Sequence, residues 1–147
     1  MSKILVINGP NLNMLGVRDT AAYGSNTLKE INGQILEAAL QEDIFVDFFQ
    51  SNIEGELINC IHGAYEKYDG IVINPGAYSH YSIAIRDALE AVSIPAVEVH
   101  ITNIYKREEF RRHSVISAVC IGQITGLGYQ GYIYALKALK QYLKGVN

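Results

Sequence analysis

The chain has 147 residues, 49% of them hydrophobic and 18% charged, which is the composition of an ordinary globular protein rather than of a disordered chain. Its net charge of -3 argues against a nucleic-acid-binding protein, because binding to phosphates requires clustered positive charge. No signal-peptide pattern and no apolar run near the ~20 residues of a membrane span are present, so we expect one cytoplasmic domain over residues 1–147 that contacts neither nucleic acid nor membrane.

The first predicted element is a buried strand over residues 3–7, followed by a long connection over residues 8–24. Most connections from a strand to a helix take about 2 to 6 residues. A connection of this length is either disordered or functional, and this one contains a single arginine, Arg18, and a single tyrosine, Tyr23. The length raises the question of what Arg18 and Tyr23 do in this connection.

The rest of the chain alternates between predicted helices and strands. The sequence Thr27-x-x-Glu30 is a capping box, and apolar residues at helical spacing follow it, so a helix is expected to begin there. The charged connection over residues 102–113 is expected to be partly helical. Apolar runs rich in β-branched residues predict further strands at 44–49, 70–74, 96–99 and 115–121, and helical spacing predicts helices around 57–65, 83–89 and 129–143.

This alternation predicts a doubly wound parallel sheet with right-handed crossovers. Five strands in this length favour the flavodoxin-like strand order 2-1-3-4-5, in three layers of helix, sheet and helix. Ligands of such folds bind at the carboxyl ends of the strands where the winding reverses, which here lies between the first and third strands. The sequence therefore predicts a binding site at that edge.

Polar residues follow the strands that meet at this edge. Asn8 and Asn74 end the first and third strands, and Glu98 and His100 lie two residues apart on the fourth, so that their side chains face the same way. A carboxylate bonded to an imidazole determines its tautomer and favours the imidazolium. His100 is therefore a candidate general acid, with a structural ion pair as the alternative.

The sequence lacks the motifs of several common enzyme mechanisms. The chain has no GxSxG, no HExxH and no Cys/His cluster, and Cys60 and Cys120 are predicted to be buried free thiols, so neither a serine nucleophile nor a metal is indicated. The stretch GLGYQG, residues 126–131, has the GxGxxG spacing, but the residues after it include no acid for a dinucleotide ribose. We interpret these glycines as allowing close packing of a helix on the sheet.

Six motifs together resemble the type II 3-dehydroquinate dehydratase family over nearly the whole chain. They are NGPNLNMLGVR, QSNIEGELI, INPGAYSHYSIAIRDAL, VEVHITNI, REEFRRHS and GLGYQGY. The resemblance implies a flavodoxin-like enzyme that converts 3-dehydroquinate to 3-dehydroshikimate and water by anti elimination through an enolate, with no cofactor and no metal. It also implies a homododecamer assembled as a tetramer of trimers.

The resemblance also implies the roles of individual residues. Tyr23 matches the base that removes a proton from the carbon next to the ketone, and Arg18 matches the arginine that keeps this tyrosine ionised. Asn11 matches the residue that helps to stabilise the enolate. His100 matches the acid that protonates the departing hydroxyl, supported by Glu98.

The remaining implied positions are substrate contacts. With these roles, residues 8–13 are interpreted as the fixed floor of the site and residues 18–23 as a mobile lid. Thr20 departs from the family pattern, which usually has proline at this position, so the lid is expected to cost more free energy to order. Asp87 matches a residue that a neighbouring subunit delivers. The contacts within one subunit are Asn74, His80, Arg111 and the backbone of Ile101 and Thr102.

Two other functions compete with this interpretation. A non-catalytic binding module of flavodoxin-like fold would have the same polar strand ends but no reason for an arginine and a tyrosine on a long lid. A flavin or nucleotide protein is opposed by the lack of a phosphate-binding loop. The resemblance is compatible with both aromatic biosynthesis and quinate breakdown.

Overall fold

The computed structural model describes residues 1–145, so the last two residues of the expected domain lie outside the described residues. Five parallel strands form one sheet in the order β2-β1-β3-β4-β5, which confirms the predicted strand order. The strands are β1 Ser2–Asn8, β2 Ile44–Gln50, β3 Gly70–Asn74, β4 Ala96–His100 and β5 Gly122–Thr125.

Four long helices cover the two faces of the sheet, and a short fifth one lies in the long first connection. They are α1 Thr20–Tyr23, α2 Leu28–Gln41, α3 Glu54–Gly63, α4 Ile83–Val92 and α5 Gln130–Leu143. Thr27 and Glu30 form the predicted capping box at the start of α2. The connection after β4 contains two 3-10 turns, Ile104–Lys106 and Glu109–Arg112, as its partly helical prediction implied.

Alternate residues of β1 contribute to two separate cores. Ile4 and Val6 pack in the cluster that contains residues of α2 and α5, whereas Leu5 and Ile7 pack with residues of α3 and α4. Because successive side chains of a strand point to opposite faces, a strand that is apolar throughout must be covered on both sides. This gives the three layers that were predicted.

The prediction of the fifth strand over residues 115–121 is wrong, because β5 begins at Gly122. The Ser114 hydroxyl oxygen accepts hydrogen bonds from the backbone N–H groups of Ile116 and Ser117, which turns the chain, and a 3-10 turn follows at Ser117–Val119. Ile116 is fully buried in the core on the α3 and α4 side. These apolar residues therefore cover the sheet, and a less apolar segment, GQIT, forms the edge strand.

Within residues 1–145, no helix is both long enough and apolar enough to cross a membrane.

Candidate active site

The carboxyl ends of β1, β3 and β4 surround a cavity of about 110 Å³ at the predicted edge of the sheet. A wider open groove of about 640 Å³ lies beside the cavity, and four residues line both: Tyr23, Ile101, Thr102 and Arg107. The smaller cavity is the candidate site, because it contains the titratable side chains that the sequence singled out. The predicted residues in its wall are Asn11, Arg18, Tyr23, Asn74, His80, His100, Ile101, Thr102 and Arg111.

Two predicted residues lie outside this wall. Glu98 lies behind His100, and its side chain is fully buried. Asp87 is exposed on α4 and does not line the cavity of its own chain. Asp87 is therefore not part of the cavity of its own subunit.

The floor of the cavity depends on a close approach of the loops that follow β1 and β3. A Cβ atom at Gly9 would lie 2.6 Å from the carbonyl oxygen of Pro75, so only glycine fits there. The Gly9 N–H donates to the carbonyl oxygen of Asn74 at 2.8 Å. Asn11 adopts a left-handed conformation with φ of 69°, and its N–H donates to the side chain of Asn52. The predicted floor is thus a hydrogen-bonded turn.

Tyr132 of α5 joins the ends of β1 and β3 from below. Its hydroxyl donates to Asn8 Oδ1 at 2.6 Å and accepts from Asn74 Nδ2 at 2.9 Å, and all three side chains are buried. Burial raises the pKa of Tyr132 above its ordinary value, and the hydrogen bond from Asn74 opposes this only in part, so the phenol stays neutral and keeps its donor. The sequence analysis assigned no role to Tyr132.

We expect Tyr132→Phe to destabilise the protein by about 1–3 kcal/mol, because it leaves a buried acceptor on Asn8 and a buried donor on Asn74 without a partner. The same change should raise KM more than it lowers kcat, since Asn74 loses the contact that orients its amide. Chemical unfolding and steady-state kinetics measure the two effects. Tyr134→Phe, on the exposed face of α5, is the matched control and should change neither.

The predicted lid carries a tyrosine held between two arginines. Asp19 has a φ of 33°, and Thr20 is the first residue of α1, which ends at Tyr23. Tyr23 Oη accepts hydrogen bonds from Arg18 Nη2 at 3.3 Å and from Arg107 Nη1 at 2.6 Å. An oxygen that accepts two bonds from permanent cations is suited to the negative charge of a phenolate.

The sequence analysis missed Arg107 as a partner of Tyr23. In the connection after β4, the resemblance assigned a site role to Arg111 and not to Arg107. Arg107 also donates to Thr102 Oγ1 at 3.3 Å, so it connects the lid to the end of β4. Because 84 residues separate Tyr23 and Arg107, only the folded chain brings them together.

We expect Arg107→Met to lower kcat by about 10- to 100-fold, the effect of losing one charge-assisted hydrogen bond. The loss of this positive charge removes one of the two donors that would stabilise a phenolate on Tyr23. Arg18→Ala should act in the same direction. Arg112→Met, at an exposed position outside the cavity wall, serves as the control, and an equal loss there would contradict the assignment.

The end of β4 holds an imidazole against a buried carboxylate. His100 Nε2 lies 2.5 Å from Glu98 Oε2, which leaves Nδ1 as the ring nitrogen that Glu98 does not use. Burial by itself would raise the pKa of Glu98, but the hydrogen bond and charge of His100, with hydrogen bonds from Ser114 and Ser117, outweigh it and lower the pKa. The carboxylate therefore remains ionised beside His100.

Two further cavity residues are held by neighbours in the connection after β4. His80 Nδ1 lies 2.8 Å from the carbonyl oxygen of His113 and must donate to it, because a carbonyl only accepts. Arg111 donates to both carboxylate oxygens of Glu108, at 3.1 and 3.3 Å. These bonds fix the imidazole tautomer of His80 and the direction of the Arg111 guanidinium.

The remaining sequence motifs have structural explanations. A Cβ atom at Gly131 would lie 3.3 Å from Val99 Cγ1 and 3.4 Å from Ile124 Cγ2, so this glycine allows α5 to pack closely on the sheet, as predicted.

Cys60 and Cys120 are free and half-buried, and burial raises their pKa to about 11 and about 12, which argues against a thiolate nucleophile. In the described part of the chain, no three His, Cys, Asp or Glu side chains group as metal ligands.

Comparison with known proteins gives consistent matches over almost the full length. The family model for Dehydroquinase class II matches residues 2–140. A 3-dehydroquinate dehydratase of Clostridium perfringens is 59% identical over 143 residues, covering 97% of this chain and 98% of the relative. A 3-dehydroquinate dehydratase of Halothermothrix orenii is 56% identical over 144 residues, covering 98% of this chain and 97% of the relative.

Solved structures agree with these matches. The crystal structure of a type II dehydroquinase from Butyrivibrio crossotus superimposes with a TM-score of 0.93 at 53% sequence identity and covers 95% of this chain and 97% of that chain. A type II dehydroquinase from Propionibacterium acnes gives a TM-score of 0.91 at 45% identity, covering 95% and 96% of the two chains.

Proposed function

The chain belongs to the class II dehydroquinase family, and from this premise we propose how its cavity dehydrates 3-dehydroquinate. The activity is that of a hydro-lyase of the shikimate pathway, which converts 3-dehydroquinate to 3-dehydroshikimate and water. The observation that carries the mechanism is the Tyr23 hydroxyl, which accepts from two guanidinium groups in the same cavity as the His100–Glu98 pair.

The charge of the cavity suits an anionic substrate. Arg18, Arg107 and Arg111 contribute three guanidinium groups to its wall. The substrate carries a carboxylate, which planar forked donors bind well. We assign substrate binding to Arg111, Asn74, His80 and the backbone of Ile101 and Thr102.

In the first step, the Tyr23 phenolate removes a proton from the carbon next to the ketone. The electron pair of that C–H bond moves toward the carbonyl and forms an enolate. The positive charge of Arg18 and Arg107 stabilises the phenolate before the step, and Asn11, in the wall of the cavity, helps to stabilise the enolate oxygen. A closed lid excludes water and strengthens these interactions.

In the second step, the enolate reforms the ketone and the carbon–oxygen bond to the β-hydroxyl breaks. The hydroxyl leaves as water because the His100 imidazolium donates the proton on Nδ1 to it. The imidazole that remains carries its proton on Nε2, where Glu98 accepts it. Net transfer of one proton from Tyr23 back to His100 through solvent then restores the enzyme.

The assembly is part of the same proposal. We expect a homododecamer, as a tetramer of trimers in the cytoplasm, in which Asp87 of one subunit reaches the cavity of a neighbour. The exposure of Asp87 on α4, away from its own cavity, supports such a role.

Incubation with 3-dehydroquinate tests the proposal directly. The conjugated enone of the product should appear as ultraviolet absorbance, and borohydride added with substrate should leave the enzyme active, because no imine to lysine forms. Binding without turnover would instead identify a non-catalytic binding module, and covalent trapping by borohydride would contradict the enolate mechanism.

A further inference from the structure

Gln123 of β5 contacts the same oxygen of Glu98 that holds His100. Gln123 and Glu98 are register partners in neighbouring strands, so their side chains project from the same face of the sheet. Gln123 Nε2 lies 3.0 Å from Glu98 Oε2 and 2.8 Å from Ser117 Oγ. Because a carboxylate oxygen only accepts, the amide must present its NH₂ group here, with one hydrogen for each acceptor.

The carboxylate of Glu98 has every acceptor position filled. Oε2 accepts from His100 and Gln123, and Oε1 accepts from Ser114 at 2.7 Å and Ser117 at 2.8 Å. A carboxylate has about four acceptor positions, so none remains for a proton of its own. Its negative charge is therefore shared among four donors, of which His100 is one.

We propose that Gln123 is a positioning residue that sets the acid strength of His100 through Glu98. This inference rests on the proposed role of His100 as the general acid. The hydrogen bond from Gln123 stabilises part of the negative charge on Glu98 Oε2. This oxygen therefore attracts the His100 imidazolium less strongly. His100 then releases its Nδ1 proton to the departing hydroxyl more readily than it would beside a carboxylate that bonded to histidine alone.

Other charged groups surround the pair but do not replace Gln123. Among residues 1–145, hydrogen bonds to Glu98 Oε2 come from His100 and Gln123. The arginines of the cavity stay charged over the working pH range, and burial followed by the charge of Glu98 raises the pKa of Cys120 to about 12. The surrounding groups are Arg18 and Tyr23 of the lid, His80 after β3, Arg107 and Arg111 after β4, Cys120 before β5 and Tyr132 of α5.

The test is the pH profile of kcat for Gln123→Met, which keeps the side-chain length and removes both donors. The alkaline limb of the profile should move to higher pH, and kcat at neutral pH should fall about 3- to 10-fold. KM should change little, because Gln123 does not line the cavity. Ser117→Ala, which removes a donor from Oε1, should shift the limb in the same direction by less.

The control is Ile61→Val, a change in the α3 core that weakens packing without touching this network. It should leave the alkaline limb in place. If Gln123→Met does not fold, the same profile for Gln123→Val, which also removes both donors, decides. A fall in kcat with an unshifted limb, while His100→Ala is inactive, would overturn the inference and leave the proposed function standing. Full turnover by His100→Ala would overturn both.

Discussion

Tyr23→Phe is expected to lower kcat by about 10²- to 10⁴-fold, the usual contribution of a positioned general base. The variant keeps the aromatic ring, which packs against the Arg18 guanidinium at 4.5 Å from the ring centroid, and it removes only the oxygen that would take the proton. Binding of an unreactive substrate analogue should therefore change far less than kcat. Steady-state assays of enone formation and calorimetric titration of the analogue measure the two quantities.

Tyr65→Phe is the matched control, because Tyr65 is exposed and lies outside the cavity wall. It should have the kinetics of the unchanged enzyme. If Tyr23→Phe retained a kcat within a few-fold of the unchanged enzyme, another group would have to be the base, and the paired arginines would need a different explanation. A variant that lost analogue binding as well would indicate that Tyr23 mainly closes the lid.

His100→Ala is expected to abolish measurable dehydration, because expulsion of hydroxide from the enolate is slow without a proton donor. The first step does not use His100 in the proposed mechanism. Tyr23 should therefore still remove and return the proton next to the ketone. In D₂O, the variant should exchange that hydrogen of 3-dehydroquinate for deuterium, which NMR of the recovered substrate detects.

The control is His62→Ala, at an exposed position on α3, which should dehydrate the substrate normally. Turnover by His100→Ala would return the His100–Glu98 contact to the status of a structural ion pair. Loss of both turnover and exchange would show that the base also depends on His100, which contradicts separate roles for the two side chains.

The lid illustrates how a local signal and the tertiary structure combine. Thr20 stands where the family usually has proline, and in the structure it is the first residue of α1. Proline is favoured at this helix position, since its ring fixes φ and the missing N–H has no partner within the helix. The expected free-energy cost of ordering this lid stays a prediction.

The strand order, the two-sided core and the position of the cavity followed from local patterns. Apolar runs such as β1 need covering on both faces, and alternation of strands with helices restricts the sheet to a few topologies. The strand predicted over residues 115–121 was wrong because apolar residues there are buried without forming a strand. Ile116 reaches the core from a turn that is capped by Ser114. The apolar residues of such a turn look the same in the sequence as those of a buried strand.

The sequence by itself determined the fold class, the edge that holds the site and, through the family motifs, most of the residues around it. These features depend on periodicity and on contiguous motifs, which a single chain displays directly. Only the tertiary structure decided which side chains act on one another: Arg107 on Tyr23, Tyr132 between Asn8 and Asn74, and Gln123 on Glu98. The physical reason is that hydrogen bonds and charges act over a few ångströms, and distant segments come that close only once the sheet has formed.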